Sequence, residues 1–185
     1  MNSSSRSRGS ALVEMALVLP FMLLFIFATI DFGQLVQTRL VLTNVAREGG
    51  SIASRQSTLD AGVPTMLVSA AHPLALGGAD GKVCVSRITC GTTAKSPNPV
   101  IATQLVQGGL GVASGVQAGA ANLGLTPVMY NHLVYNATNG VADISEVTVV
   151  EIFYRYRPIT PLPNFAAKLL SPNGAGMILS SRAVF

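Results

Sequence analysis

The chain has 185 residues and a formal charge of +4, with 49% hydrophobic and only 11% charged residues. The positive charge is spread thinly, with Arg6 and Arg8 as its only basic cluster, which argues against a nucleic-acid surface. Once the apolar run described next is set aside, about 150 residues remain, enough for one modest domain with its own core.

Met1 to Gly9 is polar, Ser-rich and too short to fold, and reads as a leader. Ala11 to Ile30 is apolar, broken only by Glu14, Pro20 and Thr29, and Asp31 ends it. As a helix this run is about 30 Å long, the thickness of a bilayer's hydrocarbon core. It predicts one membrane span, with a bend at Pro20. Arg6 and Arg8 precede the span and favour a cytoplasmic N-terminus, although Arg39 and Arg47 lie on the far side. The remainder of the chain is then expected outside the inner membrane. A secretory signal peptide fits less well. The run exceeds the usual apolar core, and its exit, Ile26-Phe27-Ala28-Thr29-Ile30-Asp31, lacks a small-x-small pattern.

Glu14 is the odd residue of the span. A carboxylate at mid-membrane costs roughly 2.5–3.5 kcal/mol on insertion scales, and such residues usually have a role. The plain alternative is a side chain near the cytoplasmic end that reaches interfacial water.

Gly9, four intervening residues, Glu14 and the continuing apolar run resemble the processing site of type IV prepilins. Glu14-Met15-Ala16-Leu17-Val18-Leu19-Pro20, Asp31-Phe32-Gly33 and Leu42-Thr43-Asn44-Val45-Ala46-Arg47-Glu48-Gly49 narrow the resemblance to the TadE-like family. These are minor pseudopilins of the tight-adherence (Flp) pilus system. Tyr154-Arg155-Tyr156-Arg157-Pro158-Ile159-Thr160-Pro161-Leu162 and the closing Ser180-Ser181-Arg182-Ala183-Val184-Phe185 are similar to that family too. Met15 stands where the family usually has an aromatic residue, and Gly62 to Val141 carries no family motif.

The resemblance implies cleavage between Gly9 and Ser10 by a prepilin peptidase. It implies a non-enzymatic protein without cofactor that helps to assemble or initiate a pilus at the inner membrane. Its partners would be membrane lipid, other pilins and pseudopilins, and the assembly platform. Cleavage makes Ser10 a charged amine about 6 Å along the helix from Glu14. A neighbouring subunit's Glu14 could pair with that amine and set the stagger between helices; at about 4 Å such a pair attracts by roughly 4 kcal/mol at an effective dielectric of 20.

Beyond the span, Leu35, Thr38, Leu42, Val45, Gly49 and Ile52 keep the spacing of one helical face, with polar residues filling the rest. This predicts an amphipathic stalk helix from Gly33 to about Ser54. Asp60 is placed to cap a second helix from Ala61 to about Ala71, with Val63, Leu67 and Ala70 inward and His72-Pro73 as its stop. Gly77 to Gly81 reads as a turn and Lys82 to Arg87 as a strand.

Gly91 to Val100 reads as a loop. Ile101, Leu105, Gly109, Val112, Val116, Ala120 and Leu123 suggest a glycine-weakened helix, ended by Gly124 and Pro127. Gly109 to Gly115 half-resembles a dinucleotide loop but lacks the third glycine, so close packing is the better reading. Asn139-Gly140 is a turn signal.

Ile144 to Tyr156 is the clearest strand, with Thr148, Val150, Ile152, Tyr154 and Tyr156 on one side and Glu151 and Arg155 on the other. Asn164 can cap a helix from Phe165 to Leu170, and Ser171 to Gly174 turns the chain. Met177 to Phe185 alternates, with Met177, Leu179, Ala183 and Phe185 on one face, and is expected antiparallel to the preceding strand. The expected fold is α+β and pilin-like: a long N-terminal helix against a small antiparallel sheet with short helices. Its parts are a leader (1–9), a span (10–31), a stalk (32–57) and a head (58–185).

Cys84 and Cys90 are the only cysteines. Fully extended, the chain would hold them ~20 Å apart, so a bridge requires a reversal between them. An oxidising compartment favours a small disulfide loop; the alternative is two free thiols. A zinc site lacks ligands. His72 and His132 are isolated and read as a helix-end surface residue and a loop residue, and no nucleophile stands beside either one. The sequence therefore points to a minor pseudopilin. The alternative is an uncleaved, membrane-anchored binding or sensor domain that enters no filament.

Overall fold

The structure is a computed structural model that describes residues 4–159 and 176–185, with side chains from residue 11 onward. Helix α1 spans Ser4–Arg55 and α2 spans Gly62–Ala70. Strands β1 (Gly81–Thr89) and β2 (Val100–Gln107) follow, then a single 3-10 turn (Ala121–Gly124) and α3 (Pro127–Leu133). Strands β3 (Glu146–Tyr156) and β4 (Met177–Val184) complete the described elements. The strands form one antiparallel sheet in the order β2-β1-β3-β4. The fold is α+β, as expected, with β2 added to the three strands foreseen.

The described residues fall into two compact units. The first holds α1 up to Gln37 with Arg157–Ile159, Gly176 and Met177; the second holds Thr38–Tyr156 and Ile178–Phe185. In the first unit the large apolar side chains of α1 point outward: Leu12 and Phe25 are each 70% exposed. The helix from Ala11 onward contains an 18-residue window of mean hydropathy 2.5, none of it buried. Such a surface is at home in lipid, where the helix satisfies its own backbone groups. Pro20 lies inside α1 without ending it, and the helix already runs from Ser4, through most of the expected leader. The backbone N–H of Ile159 donates to Asp31 Oδ1 (3.2 Å), at the residue that closes the apolar run.

In the second unit the sheet separates two layers. Val83, Val85 and Arg87 of β1 share a face with Thr148, Val150 and Ile152 of β3, and this face meets the end of α1. The burial of α1 follows the expected stripe. Thr38, Leu42, Val45 and Gly49 are buried, joined by Ala46, Gly50 and Ala53, while Leu35 and Ile52 are half-buried. The opposite face carries a second core of Ile88, Val147 and Val149 under Val116, Leu125 and Leu133. The long stretch after β2 supplies this second cover.

Several local expectations are corrected. The helix suggested from Ile101 to Leu123 is a strand followed by irregular chain. Val100–Gln107 pairs with β1, and its ladder slips once, between Arg87 and Ile88. Ile101 and Leu105 sit four apart, which suits either structure; the intervening alternation decides for the strand. Pro127 opens α3 instead of stopping a helix, with the Thr126 hydroxyl accepting from the Met129 N–H at 3.4 Å. Ala61, not Asp60, is the N-cap of α2; no side chain caps it, and Asp60 contributes only its backbone carbonyl, which accepts from the Val63 N–H at 3.1 Å. In that helix Pro64 is buried and Ala70 exposed, with Ala71 taking the inward place. The strand foreseen from Ile144 begins at Glu146. Strand β4 keeps the expected pattern, with Leu179 and Ala183 buried. It pairs with β3 as foreseen, Thr148 and Phe185 exchanging both backbone bonds (2.8 and 2.9 Å). The helix from Phe165 and the turn after it lie outside the described residues.

Candidate functional site

Gly9, Ser10 and Glu14 all lie on α1. Ser10 and Glu14 are one helical turn apart. Glu14 is exposed on the apolar helix and has no ion-pair partner among the described residues. A carboxylate is uncommon on a helix long and apolar enough to cross a membrane, and such residues usually have a role.

The same helix is fastened to the head at its other end. Gly49 and Gly50 are the closest approach. A Cβ on Gly49 would collide with the Leu67 side chain of α2, and one on Gly50 with the ring of Phe185 after β4. Two adjacent glycines thus let one helix turn seat on α2 and on the sheet edge together.

Arg87 forms the second fastening. Its side chain is 5% exposed. Its guanidinium donates to the carbonyls of Ala53 (2.7 Å), Gln56 (2.6 Å) and Ser57 (2.8 Å). Ala53 lies in the last turn of α1 and Gln56 and Ser57 just beyond it, so the cation sits at the helix C-terminus, where it also suits the helix dipole. Glu146 Oε2 lies 3.8 Å from Arg87 Nε. The sequence reading placed Arg87 on a strand and missed this role. The available signal was a lone arginine on the face shared by Val83 and Val85.

On the other face Glu151 is buried and holds the covering chain. Its Oε2 accepts from the Ser114 hydroxyl and from the Gly115 N–H (3.0 Å), and Arg182 Nη1 stands 3.8 Å from Oε1. Glu151 was foreseen on this face, but its partners lie far away in sequence.

The disulfide expectation is overturned. Strand β1 runs without reversal through Cys84 to Thr89, so Cys90 lies six extended residues away, and both thiols are free. Cys84 is buried and its thiol pKa is raised, first by that burial and also by nearby Glu151; Lys82 partly opposes this.

His72 is exposed just beyond α2, as foreseen. His132 sits in the last turn of α3 rather than in a loop, with Nδ1 2.9 Å from Asp143 Oδ2. Among the described residues no cluster of histidine, cysteine and acidic residues could hold a metal. An open cleft of about 470 Å³ is lined by Gly124, Leu125, Thr126, Met129, Arg182 and Val184, and no nucleophile is paired with a base there.

These features define a class: an α+β fold with, among the described residues, one N-terminal apolar helix long enough to cross a membrane. Residues 9–51 match the TadE-like protein family, so the chain carries a TadE-like domain over that stretch. The match covers Gly9, Ser10, Glu14 and the Gly49-Gly50 seat, and ends at Ser51, inside α1. No curated protein and no solved structure matches the chain.

Proposed function

We propose that this protein is a minor pseudopilin that helps to assemble or initiate a tight-adherence (Flp) pilus at the inner membrane. The N-terminus faces the cytoplasm, α1 crosses the bilayer, and the head stands outside. A prepilin peptidase cuts between Gly9 and Ser10. The observation that carries this reading is Glu14, exposed on the apolar helix without an ion-pair partner among the described residues, one turn from the amine the cut would create. The TadE-like match over the same stretch supports it. Partner pilins supply the missing cation through their own N-terminal amines. The protein acts by assembly, without a cofactor or a chemical step of its own.

The test is Glu14→Leu. Removing the carboxylate removes an insertion cost, so the variant should accumulate in the membrane and be cut normally. A neighbour's amine would lose its partner, so piliation and cross-linking to other pilins should fail. Glu14→Gln should be intermediate at best. Wild-type piliation by Glu14→Leu would leave Glu14 as an interfacial residue, as expected of an uncleaved anchored domain.

A further inference from the structure

The segment Gly111–Gly115 crosses the sheet face opposite α1 as an arch with no regular structure of its own. Two apolar pegs end it: Leu110 is 2% and Val116 0% exposed. Gly108, at φ 105°, turns the chain out of β2, and backbone bonds from Gly109 and Leu110 to the carbonyls of Gly78 (2.9 Å) and Gly81 (3.1 Å) secure the first peg. Between the pegs, among the described residues, the arch is tied to the sheet only by side chains. Lys82 Nζ of β1 donates to the Val112 carbonyl (2.6 Å). Glu151 of β3 accepts from the Ser114 hydroxyl and the Gly115 N–H. Gln104 of β2 donates to the Val116 carbonyl (2.9 Å) and to the Ser86 hydroxyl (3.0 Å). Gly111, Ala113 and Gly115 are exposed on the outer side.

Beneath lies a strip unlike the rest of the core. Cys84 shares the face of Lys82 and Ser86, stands opposite Glu151 in the β1–β3 register, and is 0% exposed. A segment fixed by a few side-chain hydrogen bonds, with little apolar area of its own, belongs to the low-stability end of a fold. The strip below it belongs to the sheet ladder, the high-stability end.

We propose that Gly111–Gly115 is a strap that lifts from the sheet while the sheet stays intact, uncovering Cys84 and the Glu151 carboxylate. The head then has two surfaces, one closed by the strap and one presenting a thiol and a carboxylate side by side. The inference does not depend on the pseudopilin reading, because it concerns the head alone.

The experiment uses the full chain in detergent, carrying Cys90→Ser so that Cys84 is the single thiol. Labelling of Cys84 by a maleimide is followed at rising urea, beside global unfolding. The expected result is labelling through an opening that is nearly independent of urea and far more frequent than unfolding. Gln104→Ala and Ser114→Ala leave the charges around the thiol in place. Each should speed labelling roughly tenfold, the worth of about one hydrogen bond, with a much smaller effect on the unfolding midpoint. Amide exchange on the parent chain provides a second reading: the Gly115 N–H, held by Glu151, should exchange well before the amides of β1 and β3. Labelling that tracks global unfolding in every variant, or exchange of the Gly115 amide as slow as β1, would overturn the proposal.

Discussion

Arg87 shows how much one side chain can decide. Its guanidinium satisfies three carbonyls at the end of α1 while itself almost fully buried. Arg87→Met would leave those carbonyls and nearby Glu146 without the cation, at a cost of about 3 kcal/mol. Urea unfolding of the detergent-solubilised protein measures this; a loss below about 0.5 kcal/mol, the level of an ordinary surface change, would contradict the assigned role. Gly50 is a second such point. Gly50→Val would push a branched side chain into the Phe185 ring and should cost about 1–3 kcal/mol by overpacking. Removing the ring with Phe185→Ala in the same chain should recover part of that loss. Cys84 contributes a pH effect of known sign. Its thiol pKa is raised in the folded state, so its contribution is fully present below the ordinary thiol value of about 8.5. That contribution is lost as pH rises towards and through the raised folded value. Compared with Cys84→Ala, the parent should therefore lose more stability between neutral and strongly alkaline pH, read from urea midpoints. Equal losses would show that the thiol is not in the buried setting described here.

At the scale of elements, legibility followed the strength of the local pattern. The burial stripe of α1 was visible in advance because Leu35, Thr38, Leu42, Val45, Gly49 and Ile52 repeat at helical spacing over several turns. Strand β3 was visible because Val147 to Ile152 is dense in β-branched residues. Strand β2 was not, because Ile101 and Leu105 satisfy a helical spacing by chance and the glycines after Gln107 were counted into the same element. Thr126-Pro127 illustrates the ambiguity of proline, which ends one helix and opens another by the same loss of an N–H. The two tertiary clasps, Arg87 on α1 and Glu151 on the 111–115 segment, join residues more than 30 positions apart. No local periodicity encodes such pairs. The N-terminal signature was legible because its spacing is itself local: Gly9, Ser10 and Glu14 fall within two turns of one helix.

At the scale of the whole molecule, one helix carries two kinds of information. From Ala11 to Ile30 it is apolar on most sides, with one carboxylate at Glu14, and its last turns are shaped for a head by glycine and alanine. The division has a functional consequence. Damage to the Gly49-Gly50 seat should destabilise the head, whereas changes at Glu14 should leave head stability untouched and act on assembly alone. The central claim is that this helix is processed and used as a pilin helix. The measurement that meets it most directly is the N-terminus of the protein extracted from membranes of cells with an active prepilin peptidase, read by mass spectrometry. The account predicts a chain that begins at Ser10, and an uncut chain when Gly9→Arg blocks the scissile bond. Recovery of the parent protein with Met1 to Gly9 still attached would contradict it.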